Sequence, residues 1–335
     1  MGNTSIQWTD ETWNPLAGCS IVSPGCTNCY AMKMAHRIEG MNEALGRATH
    51  YAGLTKKTKA GAVWTGKMAV APEHILALPL RWKKPRRIFV NSMSDLFHED
   101  VADELIDKVF AVMALAPQHT FQILTKRAGR MRSYFEERWQ GTPAQRFKVG
   151  DTLIDMPAGG ETGREHQVEI AVEAVLEGFP KMTDTANDAL WTEAGSLKIR
   201  QYKWPLPNVW LGVSVEDPER KYRIDDLRQT PAAIRFLSLE PLLEDLGELN
   251  LDGIHQVIVG GESGPRSRSF MLSWAAALVA QCRDAGVACF VKQLGANAYD
   301  DRSYVGSSPR YETKDKKGGD MAEWPADLRI REFPT

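Results

Sequence analysis

The stretch Ile88-Phe89-Val90-Asn91-Ser92-Met93-Ser94-Asp95 sets the pattern for the whole chain. Three β-forming apolar residues give way at once to small polar ones and an acid. Such a run reads as a short strand buried on both faces that stops at chemically useful groups. A helix follows, because Val101, Leu105, Val109, Val112 and Met113 recur at helical spacing. Glu99, Asp100, Asp103 and Glu104 gather near its start, where the helix dipole favours negative charge. Outward from this unit the same grammar returns. Residues 121–124 stop at Thr125-Lys126, before a helix from about Arg127 to Trp139. Residues 209–213 end at Ser214-Val215-Glu216-Asp217, and a charged helix runs through Leu227. Residues 234–237 end at Ser238-Leu239-Glu240-Pro241, and residues 257–259 at Gly260-Gly261-Glu262-Ser263-Gly264. Ser273 is placed to cap a helix over 274–284 and Gly286 to end it, after which residues 288–291 stop at Lys292-Gln293.

Short apolar runs alternating with helices predict a parallel sheet covered by helices. Polar groups stand at the end of every run, as in barrels whose sites draw on many strand ends. A doubly wound sheet concentrates its ligand groups at one switch point instead. The expected fold is therefore α/β, a full or partial TIM-like (β/α) barrel, with Ser5-Ile6-Gln7-Trp8-Thr9 as a short first strand. Residues 140–205 break the pattern and are too long for a structureless loop. Lys148-Val149-Gly150-Asp151 reads as a turn between strands and residues 168–175 as a half-exposed strand, so a small, mainly β insertion is expected there. The resulting organisation is 1–139 and 206–300 as the two parts of the barrel, 140–205 as the insertion and 301–335 as a tail. Trp324, Leu328, Ile330 and Phe333 argue that this tail docks on the body.

The second informative stretch is Gly18-Cys19-Ser20-Ile21-Val22-Ser23-Pro24-Gly25-Cys26-Thr27-Asn28-Cys29, which opens a helix over 30–45. Pro24-Gly25 turns the chain so that Cys19 can fold back on Cys26 and Cys29. Three thiolates leave one iron of a [4Fe–4S] cluster open, whereas closed zinc sites and ordinary electron-transfer clusters take four protein ligands. The competing reading is a Cys3His zinc site completed by His36, in a zinc-stabilised nucleic-acid-binding or adaptor protein without catalysis. Cys282 and Cys289 lie in a distant helix and strand; Cys289 could donate a hydrogen atom, although buried free cysteines more often serve packing.

Composition adds limits. The chain has 335 residues, 43% hydrophobic and 25% charged, as in soluble globular proteins. It has no apolar stretch of membrane-spanning length and no signal core at its start, so no membrane partner is expected. Five cysteines, an odd number, suit a reducing compartment, and the expected location is cytoplasmic. Net charge is −2, yet Lys56/Lys57/Lys59, Lys83-Lys84-Pro85-Arg86-Arg87 and Lys314/Lys316/Lys317 form basic clusters able to meet phosphates. A third class, a barrel hydrolase or transferase using Glu216, Glu240 and Glu262 as acid/base groups, also fits the strand ends.

A three-cysteine loop ahead of α/β repeats resembles the radical S-adenosylmethionine (radical SAM) superfamily. More closely, the chain is similar to an uncharacterised phage- and bacteria-encoded family with the same cysteine loop. That likeness rests on Trp8-Thr9-Asp10 through Cys29-Tyr30-Ala31, residues 89–97, Gly260-Gly261-Glu262-Ser263-Gly264, and Gly318-Gly319-Asp320 to Trp324-Pro325. A fainter similarity is to spore photoproduct lyase, where successive strands also end in Ser/Thr-Asp and Thr-Lys, as Ser94-Asp95 and Thr125-Lys126 do here. The loop departs from the superfamily's C-x3-C-x2-C by having six residues in its first gap, and Asn28 replaces the aromatic residue before the third cysteine.

The resemblance implies that Cys19, Cys26 and Cys29 bind a [4Fe–4S] cluster, that S-adenosyl-L-methionine chelates the open iron, and that an electron donor is a partner. It implies that Asn91, Ser92, Ser94 and Asp95 sit where the methionine ammonium binds. Lys126 would hold a carboxylate or phosphate, and Ser214 and Glu216 would contact ribose or carboxylate. Gly261 would let the backbone approach the ligand, with Glu262 beside it; Glu240 and Lys292 are further strand-end candidates. For the substrate, the basic clusters and the likeness to a DNA-repair enzyme lean towards a nucleobase in DNA or RNA, which has to be unstacked to be reached.

Overall fold

The computed structural model describes residues 4–59, 61–137, 145–149, 152–156, 162–178, 203–302 and 309–334. Its centre is a parallel sheet of seven strands: β1 (Glu11–Trp13), β2 (Arg87–Val90), β3 (Thr120–Thr125), β4 (Val209–Ser214), β5 (Ile234–Leu239), β6 (Gln256–Gly260) and β7 (Ala288–Gln293). Spatial order equals chain order, and every neighbouring pair is parallel. A sheet that never reverses its winding keeps its crossover helices on one side. The result is a half-barrel flanked by helices.

The six apolar runs are all strands of this sheet, because their side chains are buried on both faces. Ile88, Val90, Ile123, Leu211, Leu237 and Val259 point into the main core under the helices. Phe89, Phe236, Ile258 and Phe290 point the other way and close around Trp8 inside the curve. Gly212 belongs to this packing: a Cβ there would lie 2.5 Å from the Phe236 ring.

The helices in chain order are α1 (Tyr30–Ala44), α2 (Asp103–Ala114), α3 (Ala128–Glu136), α4 (Arg164–Gly178), α5 (Tyr222–Gln229) and α6 (Leu272–Ala285). α1 packs on an antiparallel hairpin, Thr55–Thr58 with Gly61–Trp64, through Ala31, Met32, Ala35 and Trp64. Gly286 ends α6 in the left-handed region at φ +66°. Ser273 lies inside α6 rather than capping it, since Met271 is the N-cap and Ser273 bonds to Asp301 at 2.5 Å.

Two expectations are corrected. Residues 5–9 form turns, not the first strand; they deliver Trp8 onto Phe89, 4.7 Å between ring centroids, and the edge strand is Glu11–Trp13. Among its described residues the insertion holds a helix as well as strands. A hairpin, Gln145–Val149 with Thr152–Met156, is present, but residues 168–175 belong to the helix α4. Val168, Val172 and Val175 fall on one helical face and enter the main core. Buried Arg164 fixes α4 through Asp107 at 3.2 Å and Asp103 at 2.7 Å on α2. Gly150-Asp151 of the expected turn, and residues 179–202, lie outside the described residues.

The tail docks as expected. Trp324 and Leu328 are buried in the main core. Residues 330–332 run antiparallel along the outer edge of β7, with Val291 N–H on the Ile330 carbonyl at 2.9 Å. This covers an otherwise open sheet edge. Phe333 then reaches across to β2, 5.4 Å from Phe290 and with the Arg87 guanidinium 3.9 Å over its ring.

Candidate functional site

At the C-terminal ends of the strands lies a cavity of about 560 Å³, lined by Cys19, Cys26 and Cys29 and by residues from six strand ends. Asn91, Ser92, Ser94, Asp95, Lys126, Ser214, Gly261 and Glu262 all line it, as do Glu240 and Lys292. Glu216 does not. All five cysteines are free thiols; the three of the loop are half-buried, and Cys282 and Cys289 are buried in the core.

The lead-in to the loop is pinned first. Gly18 stands at φ +99°, where a Cβ would lie 2.1 Å from the Lys67 carbonyl oxygen, so only glycine fits before Cys19. The segment after β2 grips residues 14–18. Ser92 Oγ and Met93 N–H donate to Asn14 Oδ1 at 3.1 and 3.0 Å. Leu16 N–H donates to Asn91 Oδ1 at 3.3 Å, and Ser94 Oγ donates to the Leu16 carbonyl at 3.1 Å. Asn91 itself sits at φ +61°, the one left-handed non-glycine among the described residues.

The strand-end acids then hold the loop proper, each with an arginine beside it. Asp95 accepts from Phe97 N–H, Thr125 Oγ1, Lys126 N–H and Arg127 Nη1 at 3.1, 2.7, 3.1 and 3.0 Å. Buried Arg127 carries this grip onwards, donating to Ser20 Oγ at 2.6 Å and standing 3.7 Å from Cys19 Sγ. Glu216, wholly buried, pairs with Arg223 at 3.0 Å and accepts from Gly25 N–H at 3.4 Å. Glu262 pairs with Arg268 at 2.6 Å and accepts from Asn28 Nδ2 at 3.0 Å, while Arg268 Nη1 donates to the Pro24 carbonyl at 2.9 Å.

These contacts give three of the expected site residues a structural part in the fold. The four donors on Asp95 use the acceptor capacity of a carboxylate, leaving no lone pair for a ligand ammonium. Glu216 stands behind the loop rather than at the cavity wall. Gly261 is glycine for packing: a Cβ there would lie 2.3 Å from the Leu294 carbonyl oxygen. Arg127, Arg223, Arg268 and Asn28, none of them a site candidate in the sequence, are the residues that tie these acids to the loop. Arg223 and Arg268 lie close in sequence to Glu216 and Glu262, which was no signal because surface arginines are equally close; Arg127 and Asn28 are distant from Asp95 and Glu262 in the chain and meet them only in the fold.

Electrostatics follow from burial. Desolvation pushes the Cys19 thiol up to about 12; the Asp95 carboxylate adds to this and Arg127 opposes it. Burial also raises Cys29, against hydrogen bonds from the Met32 and Ala31 N–H groups. Both are neutral thiols at pH 7, so binding a metal through them releases protons. Among the described residues, no three His, Cys, Asp or Glu side chains meet closely enough to grip an ion as they stand. The three sulfurs share the cavity wall with Asp95, Glu240 and Glu262, each of which is held by a cation. His36 is bonded to Thr55 Oγ1 at 3.1 Å and lies outside the cavity. Cys289 is also outside it.

A parallel half-barrel whose strand ends clamp a three-cysteine loop over one large cavity defines the class: an α/β protein with a thiol-lined mouth. The chain belongs to the family described as a protein of unknown function (DUF5131), whose model matches residues 3–323. No curated protein and no solved structure matches it. Among the described residues no helix is long and apolar enough to cross a membrane.

Proposed function

We propose that this is a cytoplasmic radical SAM enzyme built on a partial TIM-like (β/α) barrel, with Cys19, Cys26 and Cys29 as ligands of a [4Fe–4S] cluster and S-adenosylmethionine on its open iron. The observation that carries the reading is three free cysteines on the strand-end wall of a cavity of about 560 Å³, with His36, the fourth ligand of the zinc reading, outside it. A donor set of three thiols suits a cluster with one accessible iron better than a closed zinc site. Held by Cys19, Cys26 and Cys29, such a cluster would supply one-electron reduction of the bound sulfonium, the electron coming from an external donor.

The chain's own residues set the stage for that chemistry. Loading has to swing the sulfurs together, and the loop is anchored chiefly at Gly18, just before the first cysteine, and at Ser20, Gly25 and Asn28 between the cysteines. The cysteines can therefore turn while the loop stays over the cavity. Arg127 beside Cys19 favours its thiolate form once a metal arrives. Ser214 and the Glu240–Lys292 pair, 2.9 Å apart, provide polar groups to the cofactor's amino-acid and ribose parts. The apolar inner wall of Phe89, Leu124 and Trp8 keeps water from the reacting centre.

Anaerobic reconstitution tests the reading. The expected product is a brown protein with about four irons per chain that forms 5′-deoxyadenosine from S-adenosylmethionine and dithionite. Cys→Ala changes at 19, 26 and 29 abolish both. A colourless protein with stoichiometric zinc, or activity that survives the cysteine changes, overturns it.

A further inference from the structure

The charge of the cavity does not match the cofactor proposed for it. Its ionisable lining comprises Lys33, Arg37, Lys126, Arg127 and Lys292 against Asp95, Glu240 and Glu262. Each of the three acids is already neutralised: Asp95 by Arg127 at 3.0 Å, Glu240 by Lys292 at 2.9 Å and Glu262 by Arg268 at 2.6 Å. Lys33, Arg37 and Lys126 have no carboxylate within ion-pair distance among the described residues. Lys33, Arg37 and Lys126, the last facing buried Glu216, thus leave a local surplus of positive charge at this mouth, in a chain of net charge −2. S-adenosylmethionine carries a sulfonium, an ammonium and a carboxylate, and so is itself a net cation. The surplus suits a second, anionic occupant, because a cleft lined by one sign of charge focuses its field on the opposite sign.

The shape of the rim says what kind of anion. Tyr30, Lys33, Met34 and Arg37 share one face of α1 at positions i, i+3, i+4 and i+7, opposite buried Met32 and Ala35. Tyr30 is 53% and Met34 43% exposed, although both are large and apolar. Cations alternating with flat or polarisable apolar groups form a surface for phosphates and bases together. The same face continues past the cavity to Met41, and the 15-residue helix is about 22 Å long. Exposed Lys56 and Lys57 lie on the hairpin packed against it. A single nucleotide fills the mouth but leaves the rest of this surface unused.

We propose that the mouth binds a single strand of nucleic acid. Lys33 and Arg37 hold its phosphates, Tyr30 and Met34 take a flanking base, and one nucleobase enters the cavity past Lys126. This substrate assignment rests on the cofactor reading above, but the surface that carries it is independent of any cluster.

The test is fluorescence anisotropy of labelled single-stranded DNA and RNA of about 12 nucleotides with the full chain as purified, across a salt series. Wild type binds one of them, and Lys33→Glu with Arg37→Glu weakens binding at least tenfold. Neutralising two fewer phosphates flattens the plot of log affinity against log salt by about 1.4. Tyr30→Ala costs about tenfold, since stacking needs the ring, which its hydroxyl bond to the Ser92 carbonyl at 2.8 Å holds in place. No binding at 150 mM salt, or binding indifferent to the Lys33/Arg37 change, overturns the proposal. So does equal competition by a mononucleotide, which identifies a free phosphate ligand, or by polyglutamate, which identifies a surface for acidic protein. Absent binding with iron loading and 5′-deoxyadenosine formation intact removes the nucleic acid alone. Binding by a chain that takes up no iron supports the strand and removes the cofactor reading.

Discussion

Arg127→Met is the sharpest probe of how the cysteine loop is held. The guanidinium is 4% exposed and joins Asp95, which is 8% exposed, to Ser20 and the Cys19 sulfur. Methionine fills most of the volume and removes the charge, stranding a buried carboxylate. Breaking a buried pair from one side costs about 3–5 kcal/mol. Asp95 keeps donors from Phe97, Thr125 and Lys126, so the lower end applies, about 3 kcal/mol. The Glu99 contact adds little because that carboxylate is 63% exposed. With an unfolding entropy of about 2.1 cal/mol/K per residue, the melting midpoint falls by about 4 °C. Asp95→Asn in the same chain removes the stranded charge, so the double variant recovers at least about 1 kcal/mol relative to additivity. Calorimetry of the four proteins measures this directly. A single variant within about 1 °C of wild type, or strictly additive losses, refutes the claim that Arg127 and Asp95 act as one clamp.

Further outcomes follow from other contacts. Gly18→Ala forces a Cβ to 2.1 Å from the Lys67 carbonyl at φ +99°, so it destabilises by at least about 3 kcal/mol and lowers iron uptake on reconstitution; wild-type melting and iron content would exclude it. Burial raises the Glu262 carboxyl, but hydrogen bonds from Arg268 and Asn28 outweigh burial and hold it below its ordinary 4.5. A depressed folded-state pKa stabilises fully above the unfolded value and loses its effect as pH falls through the folded one. The stability gap between wild type and Glu262→Gln is thus flat from neutral pH down to about 5 and shrinks below about 4.5, and a gap that widens in acid contradicts the assignment. Trp324→Ala empties a site 1% exposed and strips Gly318 of its indole donor at 2.9 Å, costing about 3–5 kcal/mol by denaturant unfolding. A loss below about 1 kcal/mol would mean that the tail is not part of the core.

The sheet was legible in the sequence because six strands are buried on both faces and therefore read as unbroken apolar runs. Its edge was not. Glu11-Thr12-Trp13 has only one apolar residue in three, whereas Ser5-Ile6-Gln7-Trp8-Thr9 alternates like a strand although Trp8 is a plug. The segment 168–175 misled for a related reason: Val168, Ile170, Val172 and Ala174 alternate like a strand, while Val168, Val172 and Val175 satisfy period 3.6. At the site, position was readable and contact was not. Ten of the expected strand-end groups line one cavity because parallel strands end on one side. Yet Glu262 meets Asn28, far away in the chain, and Glu216 meets Gly25, pairings that only the closed fold creates. The acids thus turned from ligand groups into supports of the loop that carries the sulfurs.

Electron paramagnetic resonance of the reconstituted, dithionite-reduced protein, before and after adding S-adenosylmethionine, asks most directly whether an iron is left open beside Cys19, Cys26 and Cys29. The account predicts a reduced-cluster signal whose g values shift on addition of the cofactor and which is absent from the triple cysteine variant. A signal that the cofactor leaves untouched, or no cluster signal at all, would contradict it.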